Sequence, residues 1–281
     1  MSATAAPSQL ESRATRPGRP AGFGHLMLAE WTKIRSVRST IWTLLLFVII
    51  TIGLTALFSW LSVSHWTGPR APARDAAILA DPVGFIFGAG IGLGQLTICV
   101  LGVLLITTEY STGVIRASLL AVPRRYPMLA AKLVVFGLIL LVLAELVAFG
   151  SFFVGSAILH SRVVVTLSDT GVLRATLGAG LYLTVLGLFS LAIGSIIRHT
   201  AGGISITIGV VLVLPILAGL LPSSWGAHIN AYLPQQAGSL VYAVHQSSGQ
   251  LLTAWEGFGV FCIWTALLLG AGTYLLLRRD A

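Results

Sequence analysis

Apolar residues run along this chain in long unbroken blocks, without the strict alternation of a strand or the one-sided stripe of a soluble helix. A bilayer core of about 30 Å takes about 20 apolar residues in a helix. Six segments meet that requirement: Ile41–Leu61, Val83–Ile106, Met128–Leu159, Val172–Ile197, Gly202–Leu221 and Trp255–Leu277. They predict an all-α membrane protein with six transmembrane helices. The third segment is over-long, so its helix tilts or ends near Gly155. The fifth contains Pro215, which a membrane helix tolerates when its neighbours satisfy the freed carbonyl.

Composition agrees with lipid as the solvent. Apolar residues make up 56% of the 281 and charged residues only 9%, with a mean hydropathy of +0.92. A soluble domain carries roughly 25% charged residues to face water. The net charge of +8 could suggest nucleic acid, but that needs a basic patch on a water-exposed fold. Here the basic residues flank apolar blocks, so no nucleic-acid partner is expected. Cys99 and Cys262 both fall inside apolar segments, where a free thiol acts as a small hydrophobe.

The placement of Arg and Lys predicts orientation, because cytoplasmic loops collect them. With the N-terminus inside, thirteen of the seventeen lie in cytoplasmic segments, and only Arg70, Arg74, Arg162 and Arg174 lie outside. Both termini are therefore expected in the cytoplasm, and the stretch 222–254, which has no Lys or Arg, outside. Residues 1–24 contain no apolar run and read as a disordered cytoplasmic tail. A cleaved signal peptide is not expected, because the first apolar run is too long for one.

Residues 25–40 form an amphipathic interfacial helix on this reading. Met27, Trp31 and Ile34 share one face, and Glu30 and Lys33 a polar flank, with Arg35 and Arg38 toward anionic lipid. The same residues also serve as a basic flank to the first span. Residues 41–281 make the transmembrane domain.

Within that domain the loop 107–127 carries the densest signals. Gly113 supplies a turn, Ser111 and Thr112 a helix N-cap, and 114–122 a short helix that Pro123 ends. Glu109 suits the start of that short helix better than the end of the preceding span, where the dipole disfavours an anion. A short helix between two spans on the cytoplasmic side can transmit force from a soluble partner. Gly84, Gly88 and Gly92 recur at four-residue spacing, with Gly90 and Gly94 on a neighbouring face. Small residues so placed let helices approach closely, within the chain or across a dimer. Glu145 is the acidic residue deep inside a span, where a charge costs roughly 2.5–3.5 kcal/mol. It is either a proton or cation site or a neutral packing residue.

No lysine completes a Walker A loop: Lys33 follows Thr32 and Lys132 follows Ala131, not glycine. The zinc helix H-E-x-x-H and the nucleophile elbow G-x-S-x-G are also missing, and the six histidines are scattered. An enzyme is therefore not expected, nor a metal site. ATP-driven work would need another subunit.

Two runs carry a family resemblance. Ala29-Glu-Trp-Thr-Lys-Ile-Arg-Ser-Val-Arg-Ser-Thr-Ile-Trp42, with Glu109-Tyr-Ser-Thr-Gly-Val-Ile-Arg-Ala-Ser-Leu-Leu-Ala-Val-Pro-Arg-Arg125, closely resembles ABC-2 type permeases of actinobacteria, the membrane subunits of ABC exporters. The resemblance implies a homo- or heterodimer of permeases in the bacterial plasma membrane, above separate ATPase subunits that bind ATP and Mg. This chain would bind no cofactor itself. A coupling helix at about Tyr110–Ala121 would dock on the ATPase through Glu109, Tyr110, Thr112, Gly113, Ile115, Arg116, Leu119, Arg124 and Arg125. Short external helices would fall within Ser223–Ala254. The expected function is a permease subunit, with an ion-coupled transporter built on Glu145 as the alternative.

Overall fold

A computed structural model describes residues 22–66, 73–113, 125–245 and 250–278. Among them lie helices α1 (Phe23–Ser36), α2 (Arg38–Ser64), α3 (Ala73–Ala80), α4 (Pro82–Ser111), α5 (Arg125–Leu159), α6 (Val172–Ile197), α7 (Thr200–Gly219), α8 (Ser223–Ala231), α9 (Pro234–Ser239) and α10 (Ala254–Arg278). Six of these, α2, α4, α5, α6, α7 and α10, are long and apolar enough to cross a membrane. They coincide with the six predicted blocks to within a few residues. The chain is an all-α, multi-pass membrane protein. Its outward faces carry large apolar side chains, such as Ile49, Val142, Leu146, Ile216 and Leu267, each more than 60% exposed. That much bare apolar surface calls for lipid.

The buried centre is α6, with 72% of its apolar window buried, and α4, with 59%; the window of α2 is only 17% buried. Close approach of α4 to α6 depends on absent side chains. A methyl group at Gly102 would stand 2.5 Å from the carbonyl oxygen of Gly187 and 2.8 Å from Cβ of Ser190. On the other side of α4, Gly90 and Gly94 accommodate Thr55 and Thr51 of α2. Within the chain the packing face is therefore the neighbouring pair and not Gly84, Gly88 and Gly92. Among the described residues nothing approaches a side chain built at Gly88 or Gly92, and the nearest atoms to one at Gly84 belong to the capping carboxylate of Asp81. Four-residue periodicity finds both faces equally well; only the docked α2 chooses between them.

Three further features differ from or refine the sequence expectation. Val37, in extended conformation (φ −85°, ψ 104°), separates α1 from α2, so the first long helix starts at Arg38. The α5 helix continues past Gly155 without a break to Leu159. Pro215 is absorbed by a π turn over Gly209–Val213 immediately before it, which widens the helix where a proline ring would collide with a carbonyl.

At the end of the bundle away from α1, helix α8 packs against the end of α7, and α9 and a 3-10 turn (Leu240–Tyr242) fold back onto α6 and α10. Arg174 holds this segment by donating to the carbonyls of Val241 (3.0 Å) and Ala243 (2.8 Å). Trp264 donates its indole N–H to Tyr232 (3.0 Å).

The glycine geometry predicts opposite outcomes for one substitution at two positions of α4. Gly102→Ala forces backbone apart and should cost about 1–3 kcal/mol. Gly88→Ala should be neutral or gain up to about 1 kcal/mol from helix propensity. Thermal unfolding of both variants in detergent measures the difference.

Candidate functional site

The only two lysines of the chain meet in one place. Lys132, two turns into α5, donates to Glu30 Oε2 (2.6 Å) and to Glu109 Oε1 (2.8 Å). Lys33 donates to Glu30 Oε1 (2.6 Å) and Glu109 Oε1 (3.3 Å). Three separate elements are thereby joined: α1 through Glu30 and Lys33, α4 through Glu109, and α5 through Lys132. Burial grades across the cluster, with side-chain exposures of 2% for Lys132, 4% for Glu30, 12% for Glu109 and 35% for Lys33.

This arrangement corrects two expectations. The buried face of α1 is Leu26, Glu30 and Ile34, so Glu30 leaves the expected polar flank and Ile34 the expected membrane face, while Trp31 is 49% exposed and Met27 half-buried. Glu30 leaves the polar flank because Lys132 offers it a buried partner. Glu109 stays in the last turn of α4, where the helix dipole opposes an anion, and two ammonium groups compensate. Ser111 ends α4 and Thr112 caps it, and the helix expected to start after them lies outside the described residues. Both hydroxyls donate back to the carbonyl of Thr108, at 3.0 and 2.7 Å. Gly113 then takes the left-handed conformation (φ 69°) that the turn requires.

Lys132 had a sequence signal that loop counting concealed. It sits inside the apolar run of α5, and an ionisable residue there needs a partner. Two charges against two leave the cluster formally neutral. Burial raises the Glu30 carboxyl, but the adjacent Lys132 and Lys33 ammonium groups outweigh it and hold the group below the usual carboxylate value of 4.5. Burial lowers Lys33, yet Glu30 and Glu109 hold it above the usual 10.5.

A second set of contacts ties down the same end of α4. Arg198, with φ 57° in the turn between α6 and α7, lies 5.0 Å over the Tyr110 ring and donates to the Leu275 carbonyl (3.0 Å). Thr200 donates to Thr107 (3.0 Å). Beside the cluster opens a cleft of about 480 Å³ between α1, α2 and α4, lined by Lys33, Thr40, Thr43, Leu104, Leu105 and Glu109. Glu109 Oε2 is buried there without a hydrogen-bond partner among the described residues.

Of the other sequence-predicted residues, Ile115, Arg116, Leu119 and Arg124 lie outside the described residues, as does the expected short helix; Arg125 opens α5. Arg35 and Arg38 are exposed at the α1–α2 junction. Glu145 lies far from the cluster along α5, its carboxyl set into the space that Gly180 of α6 leaves free, with Oε2 buried and unpartnered among the described residues. Among those residues no group of three or more His, Cys, Asp or Glu could hold a metal ion.

Comparison with models of known protein families finds no match, and comparison with curated proteins finds none. The geometry of the site is that of a largely buried ionic clamp joining α1, α4 and α5 on either side of residues 114–124.

Two measurements test the clamp. Lys132→Ala removes the buried cation and leaves Glu30 and Glu109 to share Lys33 alone, which should cost about 3–5 kcal/mol. Lys33→Ala, at the exposed edge, should cost about 1 kcal/mol or less. Thermal unfolding in detergent ranks them; equal costs would refute the gradient. The pH dependence has two limbs. Glu30, with a lowered value, contributes stability that is present above 4.5 and lost as pH falls through its folded value. Lys33, with a raised value, contributes stability that is present below 10.5 and lost as pH rises through its folded value. Melting temperature against pH should show a plateau between those limits, and Glu30→Gln should flatten the acid limb.

Proposed function

We propose that this chain is a permease subunit of an ABC transporter of the ABC-2 type, an exporter driven by a separate ATPase. The observation that carries the reading is the four-residue clamp. A membrane protein moved from below needs a stiff link between the loop that receives the push and the helices that respond. Here both helices flanking the 114–124 loop are bound by charge to each other and to α1. The topology that fits has both termini and this loop in the cytoplasm, supported by thirteen of seventeen basic residues on that side. On this topology α1 lies in the inner membrane interface.

In the proposed cycle the chain performs no chemistry. The ATPase subunit closes on ATP and Mg, the 114–124 loop is displaced, and the clamp passes that displacement to α1, α4 and α5. Two permeases, identical or different, pass substrate between them toward the outside of a bacterial plasma membrane. Nucleotide drives this only by binding one state more tightly than the other.

Glu145 favours a second reading, an ion-coupled transporter, because its buried oxygen, unpartnered among the described residues, sits within a span.

Purification of the tagged chain from its native membrane in mild detergent separates the two. The first reading expects a stoichiometric partner carrying a Walker A motif, lost in the Arg116→Glu, Arg124→Glu double variant. A chain that purifies alone, and whose transport in ATP-free vesicles stops in Glu145→Gln, would establish the second reading instead.

A further inference from the structure

The outer surface beside α1 holds an apolar groove of about 640 Å³ between α1, α2 and α5. Leu28 and Trp31 form its upper wall, Ile41 and Leu45 one side, and Leu138 and Val142 the other. Every lining residue is apolar, and these six are each between 42% and 64% exposed. On α5 the lining runs from Val135 to Leu146. At 1.5 Å per residue that is about 16 Å, close to half of a 30 Å hydrocarbon core. A groove of that length matches the depth of one leaflet.

Both helices carry an arginine one turn beyond the lining residues. Arg35 follows Trp31 by four positions and Leu28 by seven, so it continues the same face of α1. Arg38 precedes Ile41 by three and Leu45 by seven on α2. Both are exposed, in contrast to the fully engaged lysines nearby, and neither makes an ion pair or hydrogen bond among the described residues. An apolar slot with two arginines one turn beyond its lining, both unpaired among the described residues, matches an amphiphile with a single long chain in the slot and an anion at its head.

We propose that this groove is a binding site for an anionic phospholipid of the leaflet on the α1 side, one acyl chain lying along α5 and the phosphate between Arg35 and Arg38. The bound lipid completes the surface where α1 leaves the bundle and holds that helix down at the membrane face. Guanidinium groups suit a phosphate because their paired N–H donors match its oxygens. The site depends on the chain crossing a bilayer and not on the transporter reading, so either can fail without the other.

The test is native mass spectrometry of the full chain in detergent, with dioleoyl phosphatidylglycerol and dioleoyl phosphatidylcholine supplied in equal amounts. The expected result is one retained phosphatidylglycerol per chain, preferred on the order of tenfold, from two basic groups near the headgroup. In the Arg35→Gln, Arg38→Gln double variant the preference should vanish while some of both lipids is still retained. Val142→Trp, which fills the slot, should reduce retention of both; Leu220→Trp, outside the groove, should not. Equal retention of the two lipids by the unaltered chain overturns the proposal, and that comparison needs no variant to fold. A phosphatidylglycerol preference that survives loss of both arginines overturns it as well. So does a chain-to-chain disulfide formed readily by Leu138→Cys with no lipid retained, since a second copy would then be the occupant.

Discussion

A bilayer core offers no water, so every polar group inside it must find its partner within the protein. Much of this structure follows from that constraint. Hydroxyls within the long helices turn back on their own backbone: Thr107 to Val103, Thr176 to Val172, Thr184 to Gly180, Ser190 to Leu186, Thr207 to Gly203 and Thr265 to Phe261. The helix containing Pro215 widens to a π turn beforehand, and Tyr182, buried at the centre, donates to Gln95 at 2.6 Å. Charge is driven to the ends of the helices or paired, with Glu145 the exception among the described residues.

The lysine–glutamate clamp is the costliest application of the same rule. Four ionised groups in a partly dry site gain little net stability over well-packed apolar residues, because their desolvation offsets the attraction. What such a cluster supplies is a directional connection among three helices. Lys132 reaches Glu30 of α1 and Glu109 of α4 at once, so neither helix can shift without stranding a charge. Apolar side chains in the same place would slide past one another. A joint that resists sliding but can be released as a unit suits a protein whose proposed work is to transmit displacement. The apolar groove on the opposite face of α1 has the complementary property, a surface finished by lipid and free to re-form as the helix moves.

The sequence alone determined the six membrane-crossing helices, their approximate limits and the crowding of basic residues at one side. These are one-dimensional properties: about 20 apolar residues make a span whatever surrounds them, and a run of charge ends one. It also marked α1, the turn at Gly113 and the solitary Glu145. Tertiary structure decided which face of each helix matters. Periodicity placed Gly84, Gly88 and Gly92 on one face of α4 and Gly90 and Gly94 on another, but only the docked threonines of α2 select the second. Amphipathic spacing set Glu30 on a polar flank; a lysine more than a hundred positions away draws it into the bundle instead. The pairing of Lys132 with Glu30 and Glu109 has no signature along the chain, because the energy of a buried charge depends on what folding brings beside it and not on its sequence neighbours.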